Sequence, residues 1–256
     1  MKFDVCGIPV DRCTTEAVVE RALDHVAGGE GPLTILSCNV DMVVKAHRDP
    51  DFARVLGSGD VVTADGMPVV WLGRLLGADF PERVAGSDLV PRIAAACAAR
   101  GHSVFLFGAA EGVAEAAAAR LREAHPALRV AGVLSPPLGF ERDPQALEAA
   151  LAAVRAAAPD VLFVALSAPR QERFVQAHAR ALGAKVILGI GGSLDMLAGR
   201  VRRAPSLVQR TGTEWLWRLA QEPRRLARRY LVEDAAFARI AAAELWKRRG
   251  PGASAG

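Results

Sequence analysis

The stretch DVLFVALSAPRQE, residues 160–172, decides the fold. Residues 161–166 are apolar without a break, so a strand here has both faces covered. The next residues open a helix: Pro169 suits a first turn, and Glu172 suits the positive end of the helix dipole. A doubly covered strand running into a helix is half of a parallel β-α-β unit. The same alternation recurs outward in both directions. TILSC (34–38), DVVTA (60–64), HSVFLFG (102–108), LRVAGV (128–133) and KVILGIGG (185–192) read as strands. Helix-period stretches separate them, and the prolines of the SPPLGF loop break both periods. The expectation is an α/β fold: a Rossmann-like, mostly parallel sheet with helices on both faces.

Beyond about Pro205 the strands stop. The segment TEWLWRLAQEPRRLARRYLVEDAAFARIAAAELWKRR is helical in pattern, with Pro223 at a break or first turn. The chain therefore divides into an α/β body over 1–204, a basic helical C-terminal appendage over 205–249, and a disordered tail over 250–256.

Composition narrows the class. With 256 residues, 51% hydrophobic and 23% charged, the chain is too apolar to be disordered. It has no apolar run of membrane-spanning length. The start, MKFDVCGIPVDRCTTE, lacks the apolar core of a secretion signal, and the four cysteines are scattered, so a cytoplasmic setting with reduced thiols is expected. Charge is uneven: residues 1–199 hold 19 Lys+Arg against 23 Asp+Glu, whereas 200–256 hold 13 against 5. Such a basic end implies an anionic partner, whether phosphate, nucleic acid or an anionic membrane surface.

Ligands of open parallel sheets bind at the carboxyl ends of the strands. The residues that follow the strands here are Ser37 and Asn39; Asp65 and Gly66; Gly108; the SAPRQE block with Gln171; and Gly191, Gly192, Ser193 and Asp195. Asp65 can accept a proton from a substrate hydroxyl, or cap a turn. The GIGGSLD turn (189–195) suits an anion at a helix start, or is only a tight turn. Gln171 brings a donor and an acceptor to the sheet edge. Arg83, in PERVAG, could clamp a diphosphate. Asp49-Pro50-Asp51 resembles a metal-nucleotide motif but lies between helical stretches, and the histidines show no metal spacing, so no metal site is expected. In the appendage, Arg218, Arg224, Arg225, Arg228 and Arg229 interleave with Trp and Leu, as suits a membrane interface.

Seven blocks occur together in order: SCNVD (37–41), TADG (63–66), PERVAGSD (81–88), VFLFG (104–108), SAPRQE (167–172), GIGGSLDMLAGRVRRAP (189–205) and EWLWRLAQEPRRLARRY (214–230). In order and spacing the chain resembles the WecG/TagA/CpsF glycosyltransferases over roughly residues 3–232. The resemblance implies an inverting, metal-independent enzyme without cofactor. It would move an N-acetylmannosamine-type or related sugar from a UDP-sugar to a polyprenyl-diphosphate-linked sugar. The setting would be the inner face of the cell membrane, during cell-surface polysaccharide or teichoic-acid-like assembly. By the same resemblance Asp65 is the catalytic base, Asn39 places the acceptor sugar, Ser37 keeps the hydroxyl of a usual Thr, Arg83 lies near the diphosphate, and Gln171 belongs to the Pro-x-Gln-Glu block. Gly108, Gly191, Gly192 and Asp195 fall to the nucleotide-sugar, and the appendage arginines to diphosphate and membrane. A homo-oligomer is compatible with this. Nucleic acid is not expected as a partner. The alternative is a non-catalytic nucleotide- or nucleic-acid-binding α/β module with a basic tail.

Overall fold

The computed structural model describes residues 1–205, 208 and 211–249, with the side chains of Arg225 and Arg249 outside the description. The expected disordered tail, 250–256, also lies outside the described residues.

The chain opens with a hairpin that the sequence pattern did not reveal. β1 (Lys2–Val5) and β2 (Ile8–Asp11) pair antiparallel. Cys6 and Gly7 make the two-residue turn with φ of 56° and 85°, the left-handed pair such turns require. After α1 (Thr15–Gly28) come β3 (Leu33–Cys38), α2 (Val40–Arg48), α3 (Pro50–Gly57), β4 (Val61–Ala64) and α4 (Met67–Leu75). Then follow α5 (Gly86–Arg100), β5 (Ser103–Gly108), α6 (Val113–Ala124), β6 (Arg129–Leu134) and α7 (Pro144–Ala157). β7 (Val161–Ala165), α8 (Arg170–His178), β8 (Val186–Gly189) and the short α9 (Ser193–Leu197) complete the α/β part.

The six strands β3 to β8 form one parallel sheet in the order β4-β3-β8-β7-β5-β6. Alternate residues face opposite ways, which divides the core in two. Leu36, Phe107, Val164 and Ile187 pack with α2, α3, α4, α7 and α8. Ile35, Leu106, Phe163 and Leu188 pack with α1, α5, α6 and α9. This is why residues 161–166 carry no polar position. The N-terminal hairpin protects one sheet edge: the Asp11 carboxylate accepts the Val62 N–H at 2.9 Å.

The C-terminal part is helical, as its pattern suggests: α10 (Glu214–Gln221), α11 (Pro223–Arg228), a π-helical turn over Arg229–Glu233, and α12 (Ala236–Arg249). Pro223 sits in the first turn of α11, where its missing N–H does no harm. α12 lies along α2 and buries Ile240 in the core. Arg248 closes the chain onto the hairpin, stacking over Phe3 and donating to the Asp4 carbonyl. Among the described residues, no helix is long and apolar enough to cross a membrane.

Candidate active site

The carboxyl ends of β4, β3, β8 and β7, four neighbours in the sheet, open into a cleft of about 480 Å³ roofed by α10 and the π-helical turn. It is lined by Ser37, Asn39, Asp65, Arg83 and Gln171, by the Gly191-Gly192 turn, and by Arg218 and Arg229 from the C-terminal part. The sequence-predicted residues it does not include are equally informative. Gly108 ends β5, one strand beyond the cleft. Its φ of 94° serves a close approach, since a Cβ there would meet the Ala165 carbonyl oxygen at 2.5 Å. Asp195 stays outside the lining on α9, although its carboxylate is within reach of Gly192.

Asp65 is delivered by strand geometry. Four buried residues of β4 end at Ala64, and the Asp65 N–H bonds the Cys38 carbonyl at 2.8 Å, continuing the β3–β4 ladder by one step. Gly66 then takes φ of 126°, unfavourable for any residue with a Cβ, and Pro68 starts α4. Burial pushes the Asp65 carboxyl up to about 6; Glu214 and Asp88 add to this, and the Arg83 and Arg218 guanidiniums oppose it. The cleft holds three other carboxylates among the described residues, and each has a cationic partner. Asp41 pairs with Lys45 at 2.6 Å, Glu214 with Arg83 at 3.1 Å, and Asp234 lies 3.7 Å from Arg229. Asp65 is the unpaired one, half-buried and poised close to neutrality, which is what a general base requires.

Asn39 caps α2. Its side-chain oxygen accepts the Met42 N–H at 3.2 Å, which leaves the NH₂ group for a ligand. Ser37, next to last in β3, lies at the cleft wall. Gln171 brings a donor and an acceptor to the sheet edge, and both are taken up within the protein. The side chain is 1% exposed; its oxygen accepts the Gly191 N–H at 2.8 Å and its NH₂ donates to Glu172 at 2.9 Å. It builds the glycine turn from beneath. The turn is affected in the same way. The Gly191 N–H is used by Gln171, and the Ser193 N–H bonds the Ile190 carbonyl, so the turn supplies fewer free donors to an anion than its sequence suggested.

Positive charge compensates. Arg218 stands over the turn: a Cβ on Gly192 would be 3.5 Å from its Nη2. Its Nε is buried with no hydrogen-bond partner among the described residues. Arg83, 13% exposed, spans Asp88 at 2.8 Å and Glu214 at 3.1 Å, tying the start of α5 to the start of α10. The remaining appendage arginines separate. Arg229 turns inward to Asp41 at 3.3 Å, contrary to a membrane-facing role. Arg224 and Arg228 are exposed, and the Arg225 side chain lies outside the described residues. Trp215, Leu216, Leu231 and Val232 add exposed apolar surface on the same segment.

Sequence reasoning missed Asp41, Lys45, Glu214 and Asp234. The i,i+4 spacing of Asp41 and Lys45 was the available signal, but it reads as an ordinary surface pair. Asp49 caps α3 through the Phe52 N–H, so the Asp-Pro-Asp stretch is a helix start. Among the described residues, no three His, Cys, Asp or Glu side chains gather as metal ligands would.

Comparison with known proteins places this geometry in context. Residues 3–251 match the model of the glycosyl transferase WecG/TagA/CpsF family. A protein of Bacillus spizizenii named N-acetylglucosaminyldiphosphoundecaprenol N-acetyl-beta-D-mannosaminyltransferase is 32% identical over 76% of this chain and 73% of its own length. The protein of the same name from Bacillus subtilis is 31% identical over 87% of this chain and 84% of its own. The Staphylococcus aureus protein of that name is 27% identical over 89% and 87%.

Proposed function

The chain belongs to the WecG/TagA/CpsF family of glycosyltransferases, and from that premise we propose that it transfers an N-acetylmannosamine-type sugar from a UDP-sugar to a polyprenyl-diphosphate-linked N-acetylglucosamine. The relatives' names give the acceptor and the sugar. Asp65 takes the proton of the acceptor hydroxyl as that oxygen attacks the anomeric carbon. The bond to the UDP oxygen breaks in the same displacement, and the configuration inverts. The observation that supports this most is that Asp65 alone, among the described carboxylates of the cleft, has no cationic partner. Arg218 and Arg83 face the charge that develops on the departing diphosphate. Asn39 orients the acceptor sugar through its free NH₂ group, and Gln171 keeps the glycine turn in shape for the nucleotide.

The acceptor's lipid dictates where the enzyme works. A polyprenyl diphosphate lies at the bilayer surface, and the exposed Arg224 and Arg228 with Trp215, Leu216 and Leu231 suit the headgroup layer at the inner face of the cell membrane. The test is UDP release from a panel of UDP-sugars with and without lipid-diphosphate-N-acetylglucosamine. Release from UDP-N-acetylmannosamine that depends on the acceptor is expected. Acceptor-dependent release from a different donor overturns the sugar assignment, and release with no dependence on acceptor overturns the transfer reaction.

A further inference from the structure

Two residues after Asn39, a charged knot joins the cleft floor to the C-terminal segment. Asp41 sits in the first turn of α2 with its side chain 5% exposed. Lys45, one turn on, bonds it at 2.6 Å and also donates to the Ala168 carbonyl at 3.2 Å, in the loop between β7 and α8. The other cation comes from the far end of the chain. Arg229, first residue of the π-helical turn, places Nη2 3.3 Å from the same Asp41 oxygen and Nε 3.7 Å from Asp234. A carboxylate this buried needs its charge met, and Arg229 is the cation that draws the C-terminal segment onto α2. α10, with Glu214 and Arg218, lies in that same segment.

We propose that Arg229 is a positioning residue: its ion pair with Asp41 latches residues 214–233 over the cleft and thereby sets Arg218 and the Glu214–Arg83 pair where the diphosphate charge develops. The inference rests on the transferase reading for its kinetic consequence, but the latch itself is testable without turnover. Misplacing a group by about an ångström from a distance can cost about 10²-fold in rate, and a loss of that order in kcat/KM is expected for Arg229→Gln and for Asp41→Asn. The two losses should not multiply in the double variant, because each breaks the same pair. Arg229→Lys keeps a cation facing Asp41 and should restore most of the activity, a rescue that a purely space-filling role would not give.

The deciding experiment is amide hydrogen exchange of the full chain and its variants, read beside kcat/KM. Arg229→Gln should speed exchange across 214–233 and leave β3 to β8 unchanged. Arg229→Lys should return it toward the wild-type rate. Unchanged exchange across 214–233 overturns the latch, and so do rate losses that multiply in the double variant. A wild-type enzyme with no transferase activity but the expected exchange pattern would sink the functional reading and leave the latch standing.

Discussion

Asp65→Asn should lower turnover by about 10²–10⁴-fold, the usual contribution of a positioned general base, while UDP binding survives. Asparagine preserves shape and removes only the ability to take a proton. The raised pKa also sets the pH dependence. The base must be ionised to act, so the wild-type kcat/KM should rise through about pH 6 and then level off. The residual rate of the variant should lack that limb. Stability moves the opposite way. A carboxylate whose folded pKa exceeds its ordinary value of 3.8 binds its proton more tightly in the folded state. Folding therefore loses stability as pH rises from about 4 to about 6, and the loss persists above that range. Asparagine carries no such penalty. The variant should melt a few degrees higher than wild type at pH 7.5, and the difference should vanish near pH 3.5, as thermal melts at the two pH values would show. Equal activity in variant and wild type would remove Asp65 from the chemistry.

Arg218→Ala should cost about 10²–10³-fold in kcat/KM for the donor, the range seen when one donor to a developing oxyanion is lost. The reasoning is geometric. Arg218 overlies Gly192, its Nε has no partner among the described residues, and the glycine turn beneath has already spent the Gly191 N–H on Gln171. Little else in the described cleft is free to meet a diphosphate. Arg218→Lys should recover only part of the loss, because an ammonium cannot reproduce the two-pronged donor of a guanidinium. A second consequence links the two predictions. Arg218 lowers the Asp65 pKa, so its removal should shift the acid limb of the pH profile upward. Arg224→Ala is the internal comparison: that residue is exposed, and its loss should leave donor kinetics intact. Steady-state kinetics across pH for the three variants would decide the matter.

Much of this was legible in the sequence, for identifiable reasons. Strands covered on both faces announce themselves as unbroken apolar runs, so β5, β7 and β8 are plain in the letters. Polar residues directly after such strands must lie at one sheet edge, which is how Asp65, Asn39 and the glycine turn could be found. The order of strands in the sheet is not written locally. Nothing in VFLFG says that β7 separates β5 from β8, and so Gly108 was grouped with a cleft that it does not line. The hairpin escaped because four-residue strands are too short to show a period. The inward turn of Arg229 escaped because an arginine-rich helical stretch looks the same whether an arginine meets water, lipid or a buried aspartate. Gln171 lies at the sheet edge, as its place after an apolar strand implies, but its partner, a backbone N–H twenty residues on, is a tertiary fact.

In the proposed reaction one free carboxylate drives a single displacement. A double displacement needs a second carboxylate placed as nucleophile, and the other described carboxylates of the cleft are held by Lys45, Arg83 and Arg229. The anomeric configuration of the product decides between the two. The disaccharide made by the wild-type enzyme from an α-linked UDP-sugar should be examined by NMR after release from the lipid. A β-linked product is predicted. An α-linked product would contradict this, because a single displacement from the face opposite the UDP oxygen must invert the anomeric carbon.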